Sequence, residues 1–288
     1  MTTPYTTLIT ASDLQELQAQ GRPLMVFDCS FDLTQPAAGH VQFDTLHILG
    51  AQRADLDRDL SEHGDGAKAS GGRHPLPSRE AVAAWLRRLG FDNTQQAVVY
   101  DRNNSTYCVR LWWMLKWLGH DAVAVLDGGL AAWQAAGGAT ASGPAPTLPA
   151  GGFELRPALR ELRTVDQVQQ ALGRPEQTLI DARATPRFKG EVEPLDPVAG
   201  HIPGALNRPF NDNLGPDGRF KPAAELRAAF EALLAGRDPA QVVHHCGSGV
   251  TALPNLLAME VAGLGPTALF AGSWSEWCRD PQRPMARG

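Results

Sequence analysis

The sequence predicts an α/β protein built as two similar domains, each a parallel sheet flanked by helices. Three observations predict it. Short apolar, β-branched runs alternate with stretches whose apolar residues recur at helical spacing, the pattern of a parallel sheet covered on both faces. Segments of the first half recur in the second at a nearly constant offset, which marks an internal repeat. Between the halves, residues 139–152 are rich in Gly and Pro and almost without large apolar side chains, so they read as a linker. The domains so bounded are residues 1–138 and 153–288.

Leu24–Asp28 is a short apolar run ending in a carboxylate, a buried strand by its length. Gly64–Gly72 has low apolar content and reads as an exposed loop. Pro77-Ser78 opens a helix with the apolar face Val82, Trp85, Leu86 and Leu89, stopped by Gly90. Ala97–Asp101 is the next strand, followed by a helix over Val109–Leu118 whose Trp112, Trp113 and Trp117 belong to a core. Val123–Leu126 is a strand ending at Asp127-Gly128-Gly129, and a short helix then carries Trp133. In the second half Leu179-Ile180-Asp181 repeats Val26-Phe27-Asp28, and His201-Ile202-Pro203-Gly204-Ala205 repeats His47-Ile48-Leu49-Gly50-Ala51. Val242-Val243, Gly272 and Trp277 match Val98-Val99, Gly128 and Trp133 at a shared offset of 144. Projected along it, Cys246 falls opposite Arg102, so thiol chemistry belongs to the second half alone. The earlier pairs have larger offsets, and the first half therefore holds about ten extra residues between His47 and Val98, where the Gly-rich loop sits.

Composition narrows the class. The 288 residues are 43% apolar and 20% charged, enough for a sizeable core, and the net charge of −5 gives no footprint for nucleic acid or an anionic membrane. The first residues lack the basic and apolar regions of a signal peptide, and no apolar run approaches the roughly 18 residues of a membrane span. Cys29, Cys108, Cys246 and Cys278 lie far apart with no C-x-x-C pair. That argues against structural zinc and a secreted disulfide framework, and a cytoplasmic, reducing compartment is expected.

The stretch that carries chemistry is Val242-Val243-His244-His245-Cys246-Gly247-Ser248-Gly249-Val250-Thr251-Ala252, followed by Leu253, Leu256, Leu257 and Met259. It reads as strand, tight loop and helix, with a cysteine at the strand's carboxyl end. Backbone N–H groups of Gly247, Ser248, Gly249, Val250 and Thr251 can curl towards one point, to which the helix N-terminus adds positive potential. A thiol there is expected as thiolate, below its free pKa of about 8.5. Glycines at 247 and 249 permit the backbone angles and the close approach.

His244 and His245 point to opposite faces of a strand, so they cannot converge with Cys246 on one metal ion. The five residues after the cysteine lead to Ala252 rather than to an arginine, so phosphate-ester chemistry lacks its guanidinium clamp. Gly247-Ser248-Gly249 lacks the flanking residues of a serine nucleophile elbow. His47 and His201 recur in both halves while the cysteine does not, which makes them structural. Asp28 and Asp181 end strands and are expected to cap backbone groups.

These motifs resemble the tandem-domain sulfurtransferases of the rhodanese superfamily. The resemblance rests on the paired His-Ile-x-Gly-Ala segments, on Cys246–Ala252 and on the closing Ala271-Gly272-Ser273-Trp274-Ser275-Glu276-Trp277, and it spans about residues 8–285. It implies a persulfide carried on Cys246, no cofactor and no metal. A small-molecule sulfur donor would load the cysteine, and a thiol such as reduced thioredoxin, or cyanide in vitro, would unload it. Members acting on 3-mercaptopyruvate carry Gly-Ser-Gly after the cysteine, as here, whereas those acting on thiosulfate place Arg and Lys in the loop.

The resemblance also implies that Arg187, in Arg187-Phe188-Lys189-Gly190, binds the donor carboxylate. It further implies that Ser248 forms a proton relay with His74 (in His74-Pro75-Leu76-Pro77) and with Asp57, ten residues after His47. The first domain would thus lend two side chains to the second. One departure stands out. Leu195 follows Glu193-Pro194 where the family has its second substrate arginine, which leaves Arg187, with Lys189 and Arg102 as the other cations at hand. Preference between mercaptopyruvate and thiosulfate is therefore open, and thiosulfate:cyanide transfer is the alternative. A non-enzymatic rhodanese-fold binding module is the reading from another class, and the intact cysteine loop argues against it.

Overall fold

Two parallel sheets account for the apolar runs, in a computed structural model that describes residues 3–288. The first unit comprises the chain up to Ala67, Pro77–Leu159 and Pro216–Arg219. Its strands are β1 (Leu8–Ile9), β2 (Leu24–Asp28), β3 (His47–Ile48), β4 (Gln52–Arg53), β5 (Gln96–Tyr100), β6 (Val123–Leu126) and β7 (Thr140–Ala141). Its helices are α1 (Ala11–Ala19), α2 (Ala38–Thr45), α3 (Arg79–Arg88), α4 (Cys108–Trp117) and α5 (Gly129–Ala135). The main sheet runs β1-β6-β5-β2-β4 with every pairing parallel, and β3 and β7 form a separate antiparallel pair.

The second unit comprises Lys68–Leu76, Arg160–Gly215 and Phe220–Gly288. It holds β8 (Thr178–Asp181), β9 (Leu206–Asn207), β10 (Val242–His245) and β11 (Ala268–Leu269) in the parallel order β11-β10-β8-β9. Leu162 bridges Leu269 in parallel fashion and so stands where β1 stands in the first sheet. The helices are α6 (Val165–Gln170), α7 (Thr185–Lys189), α8 (Ala223–Leu234), α9 (Leu253–Val261) and α10 (Ser273–Trp277). The repeat read from the sequence is thus a repeat of topology.

Local chemistry sets the element ends. Thr10 and Thr164 make reciprocal capping boxes with Asp13 and Gln167, and Ser78 caps α3 through the Ala81 N–H. Pro254 sits in the first turn of α9, where a missing N–H costs nothing. Every residue of α4 is buried, and its tryptophans lie in the core as expected. The two charges on that helix find acceptors: Arg110 Nε donates to the Leu60 carbonyl (3.0 Å) and Lys116 Nζ to the Asp121 carbonyl (3.0 Å). Residues 139–152 run along the first unit, with β7 on β3, Gly143 N–H on the Asp44 carbonyl (2.7 Å) and Gln52 Nε2 on that of Pro146 (2.9 Å).

Two expectations change. The Gly-rich stretch is exposed only over Gly64–Lys68. Its continuation is closed on itself by Ala69 N–H on the Leu76 carbonyl (2.8 Å) and tied into the second unit by Arg73 N–H on Ser275 Oγ (3.0 Å). The second change concerns register. Asp28 faces Tyr100 across the first sheet and Asp181 faces His245 across the second, so the next residue is Asp101 in one and Cys246 in the other. The counterpart of the thiol is Asp101, not Arg102. Each strand carries two adjacent valines, and the sequence alone could be aligned one residue out.

Among the described residues no helix is long and apolar enough to cross a membrane.

Candidate active site

Cys246 lies at the carboxyl end of β10, beside the central strand pairing with β8, and is almost wholly buried. The turn into α10 holds it in place. Cys246 N–H donates to Ser273 Oγ (3.1 Å), the Cys246 carbonyl accepts from Trp274 N–H (3.0 Å), and the Gly247 carbonyl accepts from Ser275 N–H (2.8 Å). Ser273 adopts a left-handed backbone, φ 55°, where the first unit has Gly129 at φ 56°. A left-handed non-glycine residue costs roughly 1–2 kcal/mol. The serine hydroxyl, which also donates to the Phe270 carbonyl (3.0 Å), is what the strain secures.

The rest of the expected loop is as compact. Gly249 (φ +74°) has no room for a Cβ, which would run into the Ala271 carbonyl oxygen. Val250 is buried and its carbonyl accepts from Leu253 N–H (3.2 Å), while Thr251 is half-buried. Ser248 Oγ lies 2.7 Å from His74 Nδ1, and both residues are buried. His74 comes from the first half of the sequence but belongs to the second unit. Asp57 belongs to the first unit, where its N–H donates to Asp55 Oδ1 (3.0 Å) and its Oδ1 lies 3.4 Å from His63 Nε2.

Cations surround the loop, and the sequence reading found only one of them. Arg187 pairs with buried Glu193 (Nη2–Oε1 2.6 Å) and with Asp196 (3.5 Å). Arg183 is enclosed, bidentate on Asp181, 3.3 Å from Glu193 and 5.1 Å above the Trp274 ring. Arg73 pairs with Asp196. These pairs and backbone N–H groups hold Asp181 and Glu193 below the usual carboxylate range despite the upward push of burial. Leu195 is exposed, and so is Lys189. Arg102 is committed inside the first unit to Asp28 (3.2 Å), Ser30 Oγ (3.2 Å) and the Leu46 carbonyl, so it is not a substrate cation of this loop. Arg73 could have been picked out as the neighbour of His74. Ser273 could have been picked out because it replaces a repeat glycine.

Cys29, Cys108 and Cys278 are held towards the neutral thiol. Burial, followed by nearby carboxylates, pushes Cys29 and Cys108 well up, and burial raises Cys278. His244 and His245 are fully buried, and burial lowers both, His244 to about 3. A cavity of about 540 Å³ lined by Arg174, Thr178, Pro203 and Arg237 lies at the opposite, amino end of β8 and has no part in this constellation.

A rhodanese-like domain model matches residues 10–136 and again 164–280, together most of the chain. The chain belongs to the rhodanese-like domain family. It is 49% identical over 266 residues to a Pseudomonas aeruginosa protein named "Probable 3-mercaptopyruvate sulfurtransferase", covering 92% of this chain and 93% of that one. It is 33% identical to the thiosulfate sulfurtransferase of Mus musculus, covering 99% and 96%. The crystal structure of SseA from Escherichia coli, titled for the fold and mechanism of 3-mercaptopyruvate sulfotransferases, superposes with a TM-score of 0.79 at 32% identity, covering 94% and 100%.

The two rhodanese-like loops are equal in length, with six residues between Cys246 and α9 and six between Asp101 and α4. In the first, Asp101 Oδ1 accepts from the N–H groups of Asn103 (2.8 Å) and Ser105 (2.9 Å), and Oδ2 from those of Tyr107 (2.8 Å) and Cys108 (2.9 Å). Burial raises this carboxyl, while the N–H groups of Cys108, Tyr107 and Asn103 pull it back. The first loop is therefore plugged by the chain's own acid. Asp28 and Asp181 cap backbone as expected, accepting from Ser30 N–H (2.8 Å) and Arg183 N–H (2.9 Å). His47 and His201 are structural. Each holds a carbonyl oxygen, of Phe43 (2.7 Å) and Phe188 (2.8 Å), and stacks on that phenylalanine's ring.

Proposed function

We propose that this protein moves sulfane sulfur from 3-mercaptopyruvate to a thiol or cyanide through a persulfide on Cys246. The carrying observation is the 2.7 Å approach of His74 Nδ1 to Ser248 Oγ, two residues from the cysteine. Cys246 thiolate attacks the donor sulfur, an S–S bond forms and the C–S bond breaks, and the electron pair leaves on the pyruvate carbon as an enolate. The enolate must take up a proton, and Ser248, recharged by His74, is positioned to deliver it; Asp57 is the relay's carboxylate in this reading. The attack of an acceptor thiolate such as that of reduced thioredoxin then removes the outer sulfur and returns Cys246 as thiolate. The N–H groups of Gly247, Ser248, Gly249, Val250 and Thr251 hold the sulfur anion, and Arg187 holds the donor carboxylate. Asp101 supports the anion-holding role, because an equal-length loop already gathers four N–H groups on a carboxylate.

In this reading residues 1–138 lack the catalytic cysteine but lend His74 and Asp57 to the relay, residues 153–288 carry the cysteine loop, and residues 139–152 join them. No cofactor takes part, since the cysteine itself carries the sulfur. A reducing, cytoplasmic setting is part of the proposal, supported by four free cysteines. Thiosulfate is the second donor. Leu195, standing where the family's second arginine is expected, favours a site less strict for mercaptopyruvate.

Mass measurement after incubation with either donor tests the proposal. One added sulfur atom is expected on the parent and on Cys29→Ser, Cys108→Ser and Cys278→Ser, and none on Cys246→Ser. Sulfur retained by Cys246→Ser would overturn the assignment.

A further inference from the structure

We infer that Ser275 is a positioning residue for the proton relay, its hydroxyl holding segment 70–74 where His74 meets Ser248. The inference rests on the sulfurtransferase reading of Cys246 and on the relay role given to His74. In this role Ser275 acts only through the ring.

The contacts form a closed ring that passes twice through this serine. Ser275 N–H donates to the Gly247 carbonyl (2.8 Å), and Ser248, the next residue, places its Oγ 2.7 Å from His74 Nδ1. His74 follows Arg73, whose N–H donates back to Ser275 Oγ (3.0 Å). One residue thus grips the cysteine loop by its backbone and the histidine segment by its side chain. Ser275 is itself buried, and its hydroxyl proton is spent on the Gly272 carbonyl (3.1 Å), which fixes its oxygen as the acceptor for Arg73. The fit beside it is close. A Cβ on Gly72 (φ +89°) would lie 2.6 Å from the Gly272 carbonyl oxygen and 2.8 Å from Ser275 Oγ, and one on Gly71 would run into Glu276 Oε1. Only glycines let the segment come this near to α10.

The internal repeat supplies an independent observation. At the offset of 144 that relates Gly272 to Gly128 and Trp277 to Trp133, Ser275 and Glu276 correspond to Ala131 and Ala132. Helix α5 therefore repeats α10 without its two polar side chains. Segment 68–76 joins the second unit, whereas the chain on either side of it belongs to the first. Its seat is set by contacts of this kind rather than by its neighbours in sequence, and the polar pair stands in the half where it docks. A proton-transfer group displaced by about 1 Å loses up to about a hundredfold in rate, so a bond that registers the backbone next to His74 bears on turnover.

Steady-state kinetics with mercaptopyruvate and thiosulfate test this. Ser275→Ala keeps the N–H on Gly247 and removes the acceptor of Arg73 N–H. It is expected to lower kcat with mercaptopyruvate about tenfold while kcat with thiosulfate stays within about twofold. In a His74→Ala background the same change should leave the ratio of the two donors unmoved, because no ring is left to position. Gly72→Ala crowds the contact from the other side and should lower the ratio in the same way, again only while His74 is present. An unchanged ratio in Ser275→Ala would overturn the inference. So would equal losses with both donors, or an undiminished loss in the His74→Ala background, the marks of a residue that only holds the fold. Persulfide formation separates the two readings. If the parent forms it and His74→Ala shifts the ratio while Ser275→Ala does not, the positioning role alone fails; if the parent forms none, the sulfurtransferase reading fails and takes the positioning role with it.

Discussion

Removing the His74 imidazole should separate the two donors. Both partners of the 2.7 Å His74–Ser248 contact are buried, so bulk water is a poor substitute for the ring. A positioned proton-transfer group contributes about 10²–10⁴ in rate. At the lower end, His74→Ala should slow mercaptopyruvate turnover about a hundredfold, equivalent to about 2.7 kcal/mol of barrier. Thiosulfate releases sulfite, which needs no proton on carbon, and its kcat should stay within about twofold. The variant also strands a buried hydroxyl, at a cost of roughly 1–3 kcal/mol in stability. That loss alters the amount of folded enzyme equally for both donors and cancels in their ratio. The assay is therefore the ratio of kcat with mercaptopyruvate to kcat with thiosulfate, variant against parent, with persulfide formation followed in the first turnover. His74→Gln should regain stability without regaining the ratio. A ratio that stays at one in His74→Ala refutes the relay and returns His74 to a packing role.

Other expectations follow from the same geometry. Ser273→Ala keeps the left-handed strain and strands the Cys246 N–H, so urea unfolding should show a loss of roughly 1–3 kcal/mol, while Ser273→Gly relieves the strain and should lose about 1 kcal/mol less. If alanine is tolerated better than glycine at 273, the strain argument is wrong. Burial lowers His244 to about 3 and His120 to about 4, below their unfolded value near 6.5, so the unfolded chain binds protons first on acidification. Their contribution to stability is full above about pH 6.5 and is lost as pH falls towards 3, by about 2 kcal/mol per histidine between pH 7 and 5. His244→Leu should flatten that slope by about one proton, and an unchanged slope in denaturant titrations across this range would show that His244 titrates alike in the folded and unfolded chain.

Much of the architecture was legible because it depends on local pattern. Strand β2 has the bounds its apolar run suggested, Ser78 and Gly90 bracket α3, and the repeat of His47 and His201 marks two equivalent carbonyl-holding, ring-stacked corners. Cys246, Ser248 and Arg187 were legible because their motifs are contiguous in sequence. What stayed hidden depends on long-range pairing. Arg73 meets Asp196 across more than a hundred residues, and nothing in the composition of a Gly-rich stretch says which unit it will join. Arg183 and Glu193 form a buried ion pair that no pattern in the sequence singles out.

The alignment of the two halves carries the most weight for function. Two adjacent valines in each strand leave the sequence match free to slip by one residue, and a one-residue slip exchanges Asp101 for Arg102. With Arg102 opposite Cys246, the first domain would be a loop that had gained a cation. The observed register says something different. Asp28 faces Tyr100 as Asp181 faces His245, so the position of Cys246 is held in the first domain by an acid, and four N–H groups close on it. A fixed carboxylate and a transient persulfide anion make the same electrostatic demand on a loop of the same length. The first half thus carries a carboxyl group gathered by four N–H donors where, in the proposed reaction, the second half would carry a sulfur anion for part of each cycle. Its N–H geometry supports reading the Cys246 loop as an anion cradle, independently of any motif.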